Sequence, residues 1–352
     1  MDGVDAAVLV SDGMHEVETG ATYFKAYDES IRSAIKAAIE GATSLDDRAA
    51  RPDALAQAEY LITQAHIEAV QVLLEKAELT ATDIDVIGFH GQTVLHAPER
   101  ALTIQIGDGA ALAQATGIDV VCDFRAQDMA AGGEGAPLAP IYHHALVAKM
   151  TGRPVVVVNI GGVGNVTWID KEDDMLAFDT GPGNALIDDW MQAKAGRPHD
   201  DGGTVAAMGD VNDVLLAQLL DNPYFAQIPP KSLDRNAFSL KALERCDLEE
   251  GAATLTAFTV ASLVRAREHF SNQPKCWIIC GGGRKNHTMM AMLKTQLPGD
   301  VITAENAGID GDFLEAQAFG YMAIRSLKNL PVTYPGTTGV KLPQTGGVLH
   351  KA

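Results

Sequence analysis

Cysteine is scarce here: four residues, Cys122, Cys246, Cys276 and Cys280, in a chain of 352. That is too few for a disulfide framework in a chain this long. Cys276 and Cys280 bracket an apolar Trp277-Ile278-Ile279. Four residues along a strand is roughly 13 Å, too far for one shared metal, so both read as small buried apolar residues, and the expected compartment is the cytoplasm. Long apolar runs are missing too, and nothing approaches the roughly 18 residues of a membrane span. The opening Met1-Asp2-Gly3-Val4-Asp5 lacks the basic-then-apolar layout of a signal peptide. Positive charge is short, with 27 Lys and Arg against 46 Asp and Glu, for a net charge of −19. That balance opposes nonspecific binding to nucleic acid or anionic lipid. A phosphate ligand would then depend on backbone N–H groups or a bound cation. Two nucleotide motifs are also absent. No Gly-x4-Gly-Lys-Ser/Thr loop occurs, which excludes a Walker-type ATPase, and no Gly-x-Gly-x-x-Gly opens the first helix.

The composition that remains is globular, 47% hydrophobic and 21% charged. The length allows two domains. Strand and helix patterns alternate along it. Residues 4–10 read as a strand that reverses at Ser11-Asp12-Gly13. Residues 52–79 carry apolar positions at helical spacing, among them Leu55, Ile62, Val70 and Leu73. Residues 85–90 read as a buried strand ending in the turn Gly91-Gln92-Thr93, with further strands at 103–106 and 118–122 around a short helix. Pro154 to Ile160 is apolar on both faces, the pattern of a parallel strand. Helices are expected near 184–195, 251–270, 286–296 and 311–327. The alternation indicates an α/β protein with helices covering mixed sheets. Residues 123–137 hold three glycines and no sustained period, and read as a crossing between domains that also lines a cleft.

Three glycine-rich turns follow strand-like runs in order: Asn159-Ile160-Gly161-Gly162-Val163-Gly164-Asn165, Asp179-Thr180-Gly181-Pro182-Gly183-Asn184, and Cys280-Gly281-Gly282-Gly283-Arg284-Lys285-Asn286. Glycine has no Cβ to block a phosphate, so amides in such turns can cradle one. An ordinary β-hairpin explains 161–165 about as well, and a tight turn alone is the lesser alternative at 281–283. Asn286 stands where it would cap the next helix. Asp179 ends an apolar segment just before a helix, which places a carboxylate at the mouth of a sheet. A turn-forming aspartate ahead of Gly-Pro is the plainer alternative.

An ordered set of motifs across nearly the whole chain resembles the anhydro-N-acetylmuramic acid kinase family, within the sugar kinase, Hsp70 and actin superfamily. The set includes Gly88-Phe89-His90-Gly91-Gln92-Thr93, Gln105-Ile106-Gly107-Asp108-Gly109, Asp123-Phe124-Arg125, Gly133-Glu134-Gly135-Ala136-Pro137-Leu138 and the three glycine turns. It continues through Pro229-Pro230-Lys231-Ser232, Glu315-Ala316-Gln317-Ala318-Phe319 and Thr337-Thr338-Gly339-Val340. The resemblance implies two actin-like (ribonuclease H-like) α/β domains around a nucleotide cleft, mixed sheets flanked by helices. The expected boundaries are 1–126 with a return of about 331–352, and 127–330. It implies ATP and Mg²⁺ as cofactors, a homodimer, and the hydrolytic opening of a 1,6-anhydro sugar with phosphorylation of O6, a step of peptidoglycan recycling.

Residue by residue, the resemblance makes Asp179 the catalytic base and assigns Gln92, Thr93, Arg125 and Glu315 to the sugar, with Arg125 on the lactyl carboxylate. Acids at helix starts are common for dipole reasons alone, which leaves Glu315 a second explanation. Asp2, Gly161, Gly162, Asn165, Gly281, Gly282, Gly283 and Asn286 fall to the nucleotide, Asp2 also to Mg²⁺ through water. His90 reads as structural and Lys231 as a solvated loop lysine. Two departures stand out inside the motifs: Glu134 in place of glutamine and Gly164 in place of alanine. A third concerns the start. The family opens with a strand and a Gly-Thr-Ser-type phosphate loop ahead of Asp-Gly-Val-Asp, so that strand and most of that loop are expected to be missing, through a late start codon or a truncation. A reading from another class stays open: an inactive actin- or Hsp70-like sensor that binds nucleotide or muropeptide without turnover.

Overall fold

The computed structural model describes residues 3–170, 174–233 and 237–352. It begins with a hairpin. Strand β1 (Gly3–Ser11) pairs antiparallel with β2 (Val17–Ala26). The reversal falls where expected, because Asp12 Oδ1 accepts the amides of Met14, His15 and Glu16. Helix α1 (Glu29–Ala42) is capped by Asp28, which accepts the Ile31 amide at 2.9 Å. Helix α2 (Asp53–Ala77) ends at Glu78 in the left-handed region. Strand β3 (Ile87–Phe89), the hairpin β4 (Gln92–Ala97) and β5 (Leu102–Ile106), helix α3 (Gly109–Thr116), strand β6 (Val120–Cys122) and helices α4 (Ala126–Ala130) and α5 (Pro140–Val147) follow.

The chain then enters a second unit. Strand β7 (Val155–Ile160) is the apolar run singled out in the sequence; every residue but Asn159 is buried. It pairs antiparallel with β8 (Val163–Ile169), which pairs antiparallel with β9 (Met175–Pro182). Helices α6 (Ala185–Ala195), α7 (Asp213–Leu220) and α8 (Leu248–Arg265) lead to β10 (Cys276–Cys280), parallel to β7. Helix α9 (His287–Gln296) leads to β11 (Asp300–Thr303), parallel to β10. The sheet order is β11-β10-β7-β8-β9. Trp190, Phe258, Leu263 and Trp277 fill its core. Both buried indoles spend their N–H on carbonyls, Trp190 on Leu248 and Trp277 on Pro298, at 2.9 Å each, as the cost of burying an unpaired donor requires. Cys276 and Cys280 are buried in β10 and free, as expected.

The chain returns to the first unit with α10 (Leu314–Leu327), α11 (Pro335–Thr338) and β12 (Val348–His350). In that unit β12 pairs antiparallel with β6, and β6 parallel with β3. Its core packs Ile35, Leu55, Ile62, Ile104 and Ile106 between α1, α2 and the β4–β5 hairpin.

The units are Met1–Lys149 with Phe313–Ala352, and Met150–Asp312. The expected boundaries at 126/127 and 330/331 both fall inside the first unit. Two physical reasons account for this. The glycine-rich stretch 123–137 belongs to that unit, fastened by the buried Asp128 to the 333–338 segment. Helix α10 packs on β1 and β3 of the same unit, so the return begins before it. The stretch 123–137 is therefore no crossing between units. Gln92 and Thr93, read as a turn, instead open β4, opposite Ile106 and Gln105.

Candidate functional site

In the second unit the three glycine turns converge at the carboxyl ends of β7 and β10, the usual place for ligands in α/β sheets. The β7–β8 turn is Gly161-Gly162. The carbonyl of Gly161 accepts the Asn184 amide at 2.7 Å, and that of Gly162 accepts the Gly183 amide at 2.9 Å. Asn184 Nδ2 donates to the Ile160 carbonyl at 3.0 Å. A Cβ on Gly183 would lie 2.3 Å from the Gly161 oxygen, so only glycine permits this stacking of turns. Gly281 has φ +71°, and a Cβ there would sit 2.4 Å from Asn159 Oδ1. A Cβ on Gly283 would strike Ile160. Packing thus accounts for Gly183, Gly281 and Gly283. Gly161 differs: its Cβ position meets nothing closer than 3.7 Å, although its amide is spent on the Val163 carbonyl at 3.2 Å.

Asp179 lies on β9 at a bulge. The register pairs Gly164 with Gly181 and Asn165 with Asp179, leaving Thr180 as the extra residue. Thr180 Oγ1 donates to the Gly164 carbonyl at 3.0 Å and locks the bulge. Asn165 therefore stands directly across from Asp179. The loop after α7 closes over the other side. The Leu233 amide donates to Asp179 Oδ2 at 2.8 Å, the Asp179 amide donates to the Lys231 carbonyl at 3.0 Å, and Tyr224 Oη donates to the Asp179 carbonyl at 2.5 Å. Burial raises the Asp179 carboxyl to about 6, with the Leu233 amide pulling the other way.

Lys231 is not the solvated loop lysine that the sequence suggested. It is 9% exposed, its Nζ donates to the Tyr224 carbonyl at 3.1 Å and sits 4.6 Å from the centre of the Tyr224 ring. Burial lowers its pKa. Its ammonium helps hold the loop that covers Asp179.

Asn286 caps α9, its Oδ1 accepting the Met289 amide at 2.9 Å. Sequence reasoning passed over its neighbour Arg284. That side chain is 4% exposed, and it donates from Nε to Glu305 at 2.7 Å, from Nη1 to the Gly281 carbonyl at 2.8 Å, and contacts Asp312 at 2.9 Å. It fixes the 281–283 turn from behind. Its two carboxylate partners lie 21 and more residues downstream, so no local pattern announces them. Tyr224 and Leu233 escaped notice for the same reason.

In the first unit Arg125 is half-buried. Its Nη1 donates to the Gly135 carbonyl at 2.8 Å, and its Nη2 donates to His90 Nε2 at 3.1 Å. Burial drives His90 down to about 3, with the Arg125 charge adding to the effect, so the ring is a neutral acceptor. His90 is thus a positioning group, in keeping with its structural reading. Arg125 Nε is buried with no partner among the described residues. Burial also lowers the Arg125 pKa, opposed by the charges of Glu315 and Asp128. Glu315 lies in the first turn of α10, exposed. Gln105 Nε2 donates to Thr93 Oγ1 at 3.3 Å, and Gln92 Nε2 to the Thr93 carbonyl at 3.0 Å. Asp128 binds this region together. Its Oδ2 accepts the Gly135 amide at 2.7 Å, and its Oδ1 accepts the hydroxyls of Thr333 and Thr338 at 2.5 and 2.6 Å. Asp2, expected near nucleotide and metal, lies outside the described residues. Among the described residues no three His, Cys, Asp or Glu side chains cluster to hold a metal ion.

The family model described as Anhydro-N-acetylmuramic acid kinase matches residues 1–352. The chain belongs to that family. The protein of this name from Rhodopseudomonas palustris (strain HaA2) is 50% identical over 354 residues, covering 100% of this chain and 96% of that one. Its namesake from Methylobacterium nodulans is 49% identical over 360 residues, covering 99% and 96%. Among solved structures, the activator of the 2-hydroxyisocaproyl-CoA dehydratase from Clostridium difficile with bound ADPNP aligns at a TM-score of 0.45 and 12% identity, over 93% of this chain and 96% of that one, a likeness too distant to bear on the site. No helix among the described residues is long and apolar enough to cross a membrane.

Proposed function

We propose that this member of the anhydro-N-acetylmuramic acid kinase family opens 1,6-anhydro-N-acetylmuramic acid with water and transfers the γ-phosphoryl group of ATP to O6, giving N-acetylmuramic acid 6-phosphate and ADP. Asp179 carries the reading. A carboxyl at about 6 is ionised at neutral pH yet basic enough to accept a proton. In the balanced step, Asp179 takes a proton from water as the water oxygen bonds to C1. The C1–O6 bond breaks, O6 bonds to the γ-phosphorus, and the bond from that phosphorus to the ADP oxygen breaks. A static turn-forming aspartate would need no such raised basicity.

The other assignments follow from chemistry. Gly162, exposed in the β7–β8 turn, offers its backbone to nucleotide phosphates beside Gly161, with Gly281, Gly282 and Gly283 shaping the adjoining turn. Asn165, opposite Asp179, suits a polar contact in the same place. Asn286 is already committed to the α9 cap, so its part is to set the helix start. Arg125 has an unpaired Nε for the lactyl carboxylate, beside Gln92, Thr93 and Glu315 as sugar contacts. Mg²⁺ is commonly held by one or two carboxylates together with water and substrate phosphates; bound here, it would neutralise phosphate charge. A cytoplasmic homodimer completes the proposal.

The experiment is a coupled ADP-release assay with the anhydro sugar, against N-acetylmuramic acid and glucose, run in ¹⁸O water. Label at C1 of the phosphorylated product supports the reading. Label in phosphate alone means ATP hydrolysis and defeats it. Ligand binding without turnover would favour the sensor.

A further inference from the structure

Strand β9 is an edge of its sheet, paired with β8 on one side only. At Asp179 its peptide groups face away from β8. The amide donates to the Lys231 carbonyl at 3.0 Å, and the carbonyl accepts Tyr224 Oη at 2.5 Å. Residues 224–233 thus run beside β9 as a strap and satisfy backbone groups that a bare edge would leave open. The Leu233 amide carries the contact on to the Asp179 carboxylate. Exposure follows the same division: Tyr224, Phe225 and Lys231 are buried, whereas Ala226, Gln227 and Ile228 face water.

Lys231 ties the two ends of the strap together. Its Nζ donates to the Tyr224 carbonyl, seven residues back, at 3.1 Å and lies 4.6 Å from the centre of the Tyr224 ring. The same ammonium stands 5.8 Å from the ring of Phe178, the residue before Asp179 on β9. A cation held over aromatic faces is bound more firmly where water is scarce. Phe225 anchors the strap further, packing on Phe258 with Arg265 5.3 Å from its ring centre. The charged and titratable groups acting on Lys231 are Arg265, Glu268 and His269, from α8 and the turn after it. Asp179 answers to burial and the Leu233 amide. Its titratable neighbour is Tyr224, whose phenol is raised by burial and by the Asp179 charge.

We propose that Lys231 is a positioning residue for the reaction: by closing the strap on itself and on Phe178, it keeps Asp179 shielded from water and aimed by the Leu233 amide. The inference rests on the role of Asp179 as the base. A nearby ammonium can act on a carboxyl by two routes of opposite sign. A positive charge acting directly lowers the carboxyl's proton affinity, so removing that charge would raise it. A strap that excludes water raises the affinity, so opening the strap lets it fall toward the ordinary 3.8. Lys231 takes the second route, because its ammonium is directed at the Tyr224 carbonyl and two aromatic rings.

The test is Lys231→Met in the full chain, a side chain of similar length without the charge. Two readings are taken. One is the pH–rate profile of ADP release with the anhydro sugar. The other is the titration of the Asp179 carboxyl by ¹³C NMR, its resonance identified by its loss in Asp179→Asn. The expected result is a midpoint moved from about 6 toward acid by about one unit. At neutral pH kcat should fall by up to about 10²-fold, the cost of a reacting group misplaced by about an ångström, with the KM for ATP unchanged. Tyr224→Phe removes the hydroxyl from the Asp179 carbonyl and leaves the ring under Lys231. It should move the midpoint the same way by less, and it decides the matter if Lys231→Met does not fold. A midpoint left at about 6 in the folded variants overturns the proposal, even with a lowered melting temperature. A midpoint moved toward base in Lys231→Met overturns it also, since Lys231 would then act through its charge. The NMR reading keeps the strap apart from the reaction: a carboxyl shifted as expected in a protein that releases no ADP with the anhydro sugar defeats the proposed reaction and leaves the strap standing.

Discussion

The Leu233 amide points at Asp179 Oδ2 from 2.8 Å, and among the described residues no other donor reaches that carboxylate. One backbone amide holds its orientation without suppressing its basicity, so burial prevails and the carboxyl rises to about 6. Orientation and basicity are what a general base needs. The first predictions follow from this pair.

Turnover should rise with pH through about 6, as Asp179 loses its proton, and level off above it. Asp179→Asn should lower kcat by roughly 10²–10⁴-fold, leave the KM for ATP nearly unchanged, and abolish the rise near 6. A pH–rate profile of both proteins checks this. Near-normal turnover in the variant would remove Asp179 from the mechanism.

The same residue makes an opposite prediction for stability. Its folded pKa lies above its unfolded value of 3.8. The native state therefore binds a proton more tightly than the unfolded chain. The resulting stabilisation is complete below about 4 and lost as pH rises through about 6. Asp179→Asn carries no charge to bury, so it should melt above the wild type at pH 8, by the equivalent of about 1–3 kcal/mol. That advantage should vanish at pH 4. Equal melting-temperature differences at both pH values would mean that the carboxylate is well solvated.

Arg125→Ala should raise the apparent KM for the sugar about 10–100-fold, the worth of a charge-assisted hydrogen bond of about 1.5–3 kcal/mol, with a smaller loss in kcat. It should also blunt preference for substrates bearing the lactyl carboxylate. A variant that lowers kcat alone would place Arg125 at the reacting atoms instead.

Asp128 has three donors on its carboxylate and no exposure. Asp128→Asn puts an amide group against at least one of them, at a cost of about 1–3 kcal/mol. It should also loosen Gly135, whose carbonyl holds Arg125, and so raise the sugar KM. Denaturant melts and sugar kinetics together decide. Loss of stability with an unchanged KM would limit Asp128 to a structural part.

Gly281→Ala meets both a positive φ and the Asn159 carboxamide. Left-handed backbone at a residue with a Cβ costs about 1–2 kcal/mol, and the displaced turn should raise the KM for ATP more than that for sugar. Gly161→Ala, in open space, should hardly change stability; a raised ATP KM there would point to the phosphate contact directly. An unaffected KM would leave Gly161 as an ordinary turn residue.

The sequence alone determined most elements and the order of the glycine turns. Val155–Ile160 reads as a buried strand, because four consecutive valines leave no face for water. The helices at 185–195, 287–296 and 314–327 were legible from periodicity within two or three residues. The family was legible because an ordered set of short motifs is specific even when each alone is weak. Tertiary structure decided what depends on distant partners. Lys231 reads as a loop lysine until Tyr224 closes over it, and the irregular 123–137 reads as a linker until Asp128 meets Thr333 and Thr338. Both misreadings have one cause: local pattern reports whether a side chain prefers water, while burial and pKa depend on which remote groups can satisfy it once water is gone.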